Sequence, residues 1–407
     1  MKYLSINLFF VTLLIFISPT LLGQEFKSQT DAVFVTSAGF AYPNDTDTLL
    51  DNKTPDFSFQ HFESLRLLNE LSLTEKIHFE THLLIDSFHS NYILDSPKTN
   101  NHFRITPLHQ SIYTHETESI HYQAGSEIDR LNLTANFEKV TLRVGRQPIS
   151  WGSGRFWQPS DPFGSFYATV LDREYKPGID ILLLDYFPAS FSNITLVYAL
   201  PSKNNNHSAA IRYLQQFSED FLFTTSFGHV LDETLLTAEI ETNWLGAGLR
   251  YESKLTWEDE SKSINFFSLF GVDYQFENEV ILTTEWFHNG TGTSKEENIS
   301  NLLNQDRYAS GLANYISKNI LGFSLQRSIT PLLSMNYLIL VALLKDSTDE
   351  IQYSSLHQVT GIYSVSNESD LWLSLLISNG KYASDGVPQS EFGQVLPSVN
   401  LRYRIYL

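Results

Sequence analysis

Apolar and polar residues alternate along most of the chain. Between Ser64 and Leu73, Leu65, Leu67, Leu71 and Leu73 share one face, while Arg66, Glu70 and Ser72 share the other, the period of two that a β-strand imposes. From Ile77 the pattern returns, with Phe79, Leu83 and Ile85 opposed to His78, Glu80, His82 and Asp86. Only Thr74 to Lys76 separate the two runs, which predicts a hairpin. A second hairpin sets Leu131, Leu133 and Ala135 against Arg130, Asn132 and Thr134, then Val140, Leu142 and Val144 against Thr141 and Arg143. Further runs lie at Asn193 to Leu200, Leu236 to Thr242 with Leu245 to Tyr251, Ile264 to Tyr274 with Val280 to Trp286, and Leu333 to Leu343. The chain reads as all-β. The first strand, near Ala32 to Ala41, and the stretch from His89 to Gly125 are the least defined by this pattern.

One alternating strand fits a soluble sandwich and a membrane barrel equally, because the apolar face meets a core in one and lipid in the other. Loop lengths separate them. Short links fall near Phe137 to Lys139, Pro188 to Ser192, Phe217 to Asp220, Asn243 to Trp244, Phe276 to Asn278, Arg327 to Thr330 and Ser366 to Glu368. Several links between them are long and polar: Gln147 to Lys176, Asn289 to Ser317 and Asn379 to Leu396. Short periplasmic turns and long extracellular loops are the pattern of a transmembrane antiparallel up-and-down β-barrel. Carried to the N-terminus, it predicts roughly 16 to 18 strands. The chain ends with Val399, Leu401, Tyr403, Ile405 and Leu407 alternating with Asn400, Arg402, Arg404 and Tyr406. Such an apolar edge is a hazard unless it closes a barrel against the first strand.

Composition agrees. The mean hydropathy of -0.16 is near neutral, as alternating strands require, and aromatic residues make up 14% of the chain, enough for two interfacial girdles. Cysteine is absent, which excludes a small disulfide-stapled secreted domain. A formal charge of -19 opposes nucleic-acid binding. Lys2, the apolar run from Leu8 to Ile17, and Pro19, Leu21 and Gly23 predict a signal peptide over residues 1–23. Residues 24–407 are then a single barrel domain in the outer membrane, with outer-membrane lipid as its surroundings.

The run from Arg143 to Phe163 reads Arg-Val-Gly-Arg-Gln-Pro-Ile-Ser-Trp-Gly-Ser-Gly-Arg-Phe-Trp-Gln-Pro-Ser-Asp-Pro-Phe, and Pro177-Gly178-Ile179-Asp180 follows. This segment of about 40 residues resembles porin-like outer-membrane proteins of Gram-negative cells. The final strand resembles the C-terminal signal of bacterial outer-membrane barrels, with Leu407 where Phe is usual. These resemblances imply a channel, and a final strand read by the barrel-assembly machinery. A trimer is common among barrels of the resembled type, so a homo-oligomer is one expectation.

Within the segment, Gly145, Gly152 and Gly154 permit tight turns, Pro148, Pro159 and Pro162 restrict the chain, and Trp151, Phe156 and Trp157 supply packing area. Five basic residues (Arg143, Arg146, Arg155, Arg173, Lys176) face Asp161, Asp172 and Glu174, a local net of +2. A loop folded into the lumen, with Trp151, Arg155, Trp157, Asp161 and Arg173, would narrow the bore and present charge and stacking surface to an anionic or sugar-like solute. Pairing of Arg155 and Arg173 with Asp161 and Asp172 would instead pin the loop structurally. The inferred lumen wall carries both signs: Arg66, Arg130, Arg143, Arg250, Arg402 and Arg404 with Glu80, Glu239, Glu241 and Glu285, besides Glu70 and Glu252.

Signals for bond-making chemistry are thin. There is no Gly-x-Ser-x-Gly elbow, and His115-Glu116 is followed by Ser119 where a zinc motif needs His. His78 and His82 share a strand face without a third ligand. Asp45, Asp47, Asp51 and Asn52, like Glu258 to Glu260, read as solvated outer loops. No enzymatic activity, cofactor or metal is expected. The function read here is passive or weakly selective passage of small hydrophilic solutes. The alternatives are polysaccharide export or surface anchoring, with Trp151 and Trp157 lining a sliding path, and a lipid hydrolase.

Overall fold

A computed structural model describes residues 27–41, 58–91, 102–105, 108–117, 120–164, 166, 168–170, 173–200, 207–259, 262–305, 308, 315–381 and 387–407. The expected signal peptide, the acidic stretch at Asp45 to Asn52, Asp172 and Glu260 lie outside the described residues. Strands β1 (Lys27–Ala41), β2 (Ser58–Ser72), β3 (Ile77–Ser90), β4 (His109–Glu116), β5 (His121–Asn136), β6 (Val140–Gln147) and β7 (Ile179–Ala189) open the fold. They are followed by β8 (Ser192–Ala199), β9 (Ser208–Ser218), β10 (Phe221–Val230), β11 (Glu233–Trp244), β12 (Ala247–Glu258) and β13 (Ile264–Gln275). Then come β14 (Ile281–His288), β15 (Asn319–Thr330), β16 (Leu333–Lys345), β17 (Ile351–Ser366), β18 (Ser369–Asn379) and β19 (Ser398–Tyr406).

Every pairing between these strands is antiparallel, and β19 pairs with β1 over Ala41↔Ser398 to Val33↔Tyr406, closing the sheet on itself. The result is a closed 18-stranded barrel. The extra strand, β4, pairs with β5 alone, beside the stretch of β5 whose other edge meets β3. It is an addition at the rim.

Barrel closure removes the free edges of the sheet, and the burial pattern is inverted relative to a water-soluble fold. Along β5, Arg130 and Asn132 are 4% exposed, while Leu131 and Leu133 between them are 36% and 43% exposed. Polar side chains point inward and apolar ones outward, as lipid outside and a polar interior demand. The outward set includes Val144, Leu182, Leu196, Phe227, Phe270 and Leu373.

The expected short turns all occur at one end. Two shift by a few residues: the β11–β12 turn is 245–246 and the β15–β16 turn is 331–332, because those strands run on to Trp244 and Thr330. At the opposite end the links are mixed. Long segments at 148–178, 289–318 and 380–397 stand beside a two-residue turn, 231–232, between β10 and β11, so length alone did not mark that end. The strand register also breaks inside β5. His82 faces Arg130 and Leu83 faces Ile128, leaving Asp129 bulged out of the ladder. A bulge re-aims the side chains around it, so Ile128, Asp129 and Arg130 are all buried.

Candidate functional site

The segment 148–178 leaves β6, crosses the barrel interior, and touches the wall on nearly every side before it enters β7. Backbone polarity explains how it is held. A chain crossing a lumen without secondary structure carries N–H groups that need partners, and inner-face carboxylates supply them. Glu252 on β12, fully buried, accepts from the N–H groups of Ser153 and Gly154, both at 2.6 Å, and of Ser160 at 3.1 Å. Glu285 on β14 accepts from the N–H groups of Arg155 at 2.5 Å and Phe156 at 2.8 Å. β12 and β14 lie across the barrel from β6 and β7, so these two residues fasten the far end of the crossing.

Glycine is required at the turn itself. Gly152 has φ +84°, and a Cβ on Gly154 would stand 1.8 Å from the Trp157 carbonyl oxygen. Asp161 closes the loop on itself, accepting from the N–H groups of Trp151 at 3.2 Å and Phe163 at 2.9 Å and pairing with the Lys176 ammonium at 2.5 Å. The return limb then meets the seam. Glu174 accepts from Arg404 at 2.8 Å and from the Tyr406 hydroxyl at 2.7 Å on β19, while the Arg66 guanidinium of β2 lies 4.4 Å from the centre of the Tyr175 ring.

Apolar packing completes the attachment. Trp151 sits edge-on to Phe163 in a cluster with Phe103, Ile149, Ile181, Leu183 and Val197. Trp157 stacks on Phe287 at 5.5 Å in a second cluster with Phe156, Leu269, Ile320 and Leu340. Both indoles are buried, at 5% and 3% exposure, so they anchor the segment and leave no open stacking face.

Arg155 remains 65% exposed and lies 3.4 Å from Asp273 on β13. Its partner among the described residues is thus a wall residue, where the sequence offered Asp161 and Asp172 for Arg155 and Arg173, Asp172 lying outside the described residues. The Arg173 guanidinium donates to the carbonyls of Val170 at 3.2 Å, Ala168 at 3.3 Å and Arg155.

The other wall residues named from the sequence divide into groups. Arg66 and Arg130 bind the bulged Asp129 at 2.7 and 2.6 Å. Glu80 accepts from Asn132 at 2.7 Å and lies 3.1 Å from His82. Arg250 donates to Asp273 at 2.6 Å and approaches Glu285 at 3.4 Å, Arg212 lies 3.7 Å from Glu239, and Arg143 lies 3.7 Å from Asp185. Arg402 and Arg404 flank the Trp372 ring, and Arg404 also binds Asp370 at 3.1 Å. Glu241 lines the cavity described next.

Sequence alternation passed over the centre of the first group. Asp129 also takes Arg104 at 3.2 Å and the Gly178 N–H at 3.0 Å, Arg104 reaches Glu127, and Arg146 grips Asp180 at 2.8 and 3.0 Å. Period-two reading places Asp129 with Leu131 on the lipid face, and only the bulge turns it inward. A carboxyl in an otherwise lipid-facing position was the available signal.

Below the crossing, towards the short turns, lies a cavity of about 990 Å³. Arg155, Phe156, Ala168, Val170 and Arg173 form its ceiling. Among the described residues no group of His, Cys, Asp and Glu is arranged to hold a metal.

No protein-family model and no curated protein matches the chain. Solved structures do. OccAB4 of Acinetobacter baumannii aligns over 94% of this chain and 98% of its own, at 11% identity and TM-score 0.56. OccD3 (OpdP) of Pseudomonas aeruginosa aligns over 93% and 91%, at 10% identity and TM-score 0.53. A BenF-like porin of Pseudomonas fluorescens Pf-5 aligns over 94% and 98%, at 12% identity and TM-score 0.55. With its strands closed, its lipid-type outer face and a segment folded across its interior, the chain has the porin fold of an outer-membrane β-barrel.

Proposed function

We propose that the protein is an outer-membrane channel for small hydrophilic solutes, with segment 148–178 as its constriction. The observation that carries this is the crossing itself: a chain fastened to opposite walls, over an open vestibule of about 990 Å³ lined by polar and apolar side chains alike. Selection in such a pore rests on bore and field rather than on bond making. Trp151, Trp157 and Asp161 hold the loop, and Arg155 and Arg173 face the path. Buried indoles give no support to a polysaccharide sliding along Trp151 and Trp157.

In this reading residues 1–23 direct export, β19 is the strand offered to the assembly machinery, and the short turns face the periplasm. The test is single-channel conductance of refolded protein in planar bilayers. Arg155→Ala is expected to change ion selectivity with little change in stability. Trp157→Ala, which empties a packed site, is expected to raise conductance and open-channel noise. A correctly folded barrel without conductance steps would overturn the proposal.

A further inference from the structure

The fixed charges of the vestibule bear on which solutes it takes. Three guanidinium groups line it, those of Arg155 and Arg173 in the ceiling and Arg250 on the wall, and two of them stand beside a carboxylate. Arg155 and Arg250 share Asp273, Arg250 also meets Glu285, and Arg173 is turned to the carbonyls of Val170 and Ala168. Around the cavity stand four carboxylates, those of Glu219, Asp220, Glu241 and Asp273. Three positive against four negative leaves a lining of -1, with Glu219 and Asp220 in the β9–β10 turn at the mouth. On the far side of the crossing, Arg66, Arg104, Arg130 and Arg146 are paired with Asp129, Glu127 and Asp180, four guanidinium groups on three carboxylates.

The remaining polar lining is neutral. Gln216, Asn243, Gln326 and Asn336 bring amides, and Thr283 and Ser324 bring hydroxyls. Amide and hydroxyl groups both donate and accept, which suits a solute whose own groups do the same.

We infer that the vestibule favours uncharged polyhydroxylated solutes of the saccharide class over anions. This rests on the channel reading above. An anion would give up part of its hydration beside walls of its own sign, in a confined space where such repulsion is less screened than in open water. A sugar ring exchanges its water contacts for amides and hydroxyls at little electrostatic cost. A cavity of about 990 Å³ lies at the upper end of small-molecule pockets, roughly 300–1,000 Å³, and so accommodates a monosaccharide with its water.

The experiment uses the refolded mature protein in liposomes, with swelling rates for glucose and for the glucuronate salt. It also uses the zero-current potential across a planar bilayer in a KCl gradient. Glucose should enter several-fold faster than glucuronate, and the potential should have the sign of K⁺ preference. The double variant Glu219→Gln, Asp220→Asn should narrow both differences, and it alters an exposed turn where folding has little at stake. Faster entry of glucuronate, a Cl⁻ preference, or unchanged discrimination in the double variant would overturn this inference while leaving the channel intact. Absence of both swelling and conductance, with the barrel shown folded by heat-modifiable electrophoretic mobility, would overturn the channel reading, and this inference with it.

Discussion

Glu252 illustrates how much one inner-face residue decides. Its carboxylate satisfies three backbone N–H groups of a segment that has no sheet or helix to satisfy them. Replacing it by alanine strands those donors, each such loss costing about 1–3 kcal/mol where water does not take over. Glu252→Ala is therefore expected to loosen the crossing without unfolding the barrel, read as larger and noisier conductance and as new protease sensitivity near residue 154. Gly154→Ala should act on the same segment by a different route. The added methyl meets the Trp157 carbonyl, so the turn must open. Its effect on conductance should match that of Glu252→Ala while leaving the carboxylate in place.

At the scale of elements, the links at the open end lock to one another. Glu391, in the segment between β18 and β19, accepts from the N–H groups of Ile316 at 2.8 Å and Ser317 at 2.5 Å in the segment between β14 and β15. Lys381 of the first segment pairs with Glu296 of the second at 2.6 Å. Burial pushes the Glu391 carboxyl up to about 7, against the hydrogen bonds that favour its charged form. An acid whose value is raised in the locked state binds a proton there more readily than when released, so the lock strengthens as pH falls from about 7 towards the ordinary glutamate range. Flicker from motion of these links in single-channel traces should be weaker at pH 5 than at pH 8. Glu391→Gln should remove that dependence; an unchanged pH profile in the variant would assign it to another group.

The whole molecule inverts the usual rule of burial, and this too is open to measurement. Leu133 faces outward at 43% exposure between the buried Asn132 and the inward Thr134. Near the middle of a bilayer, arginine on the lipid side of a barrel costs about 2–4 kcal/mol. Leu133→Arg should lower the unfolding midpoint in urea for protein in lipid vesicles. Asn132→Ser, on the inner face of the same strand, should change it far less. Equal losses at both positions would contradict the assignment of faces.

Alternation, aromatic content, the spacing of short links and the apolar last strand determined a closed antiparallel barrel of about the observed strand number, because side-chain direction in a strand follows from position alone. The run from Arg143 to Phe163 likewise marked the segment that crosses the interior, through glycines and prolines whose backbone limits are local. Tertiary structure decided the rest. Asp129 turns inward only through a bulge, and a bulge depends on how two distant strands come into register. Arg155 meets Asp273 and the turn meets Glu252 and Glu285 because closure brings β12 to β14 opposite β6 and β7. Trp151 and Trp157 became anchors because the inner wall happens to offer Ile181 and Leu183 to one, Phe287 and Ile320 to the other. Partners a hundred residues apart have no local signature, so which charge is matched, and which is left to meet a solute, belongs to the closed barrel.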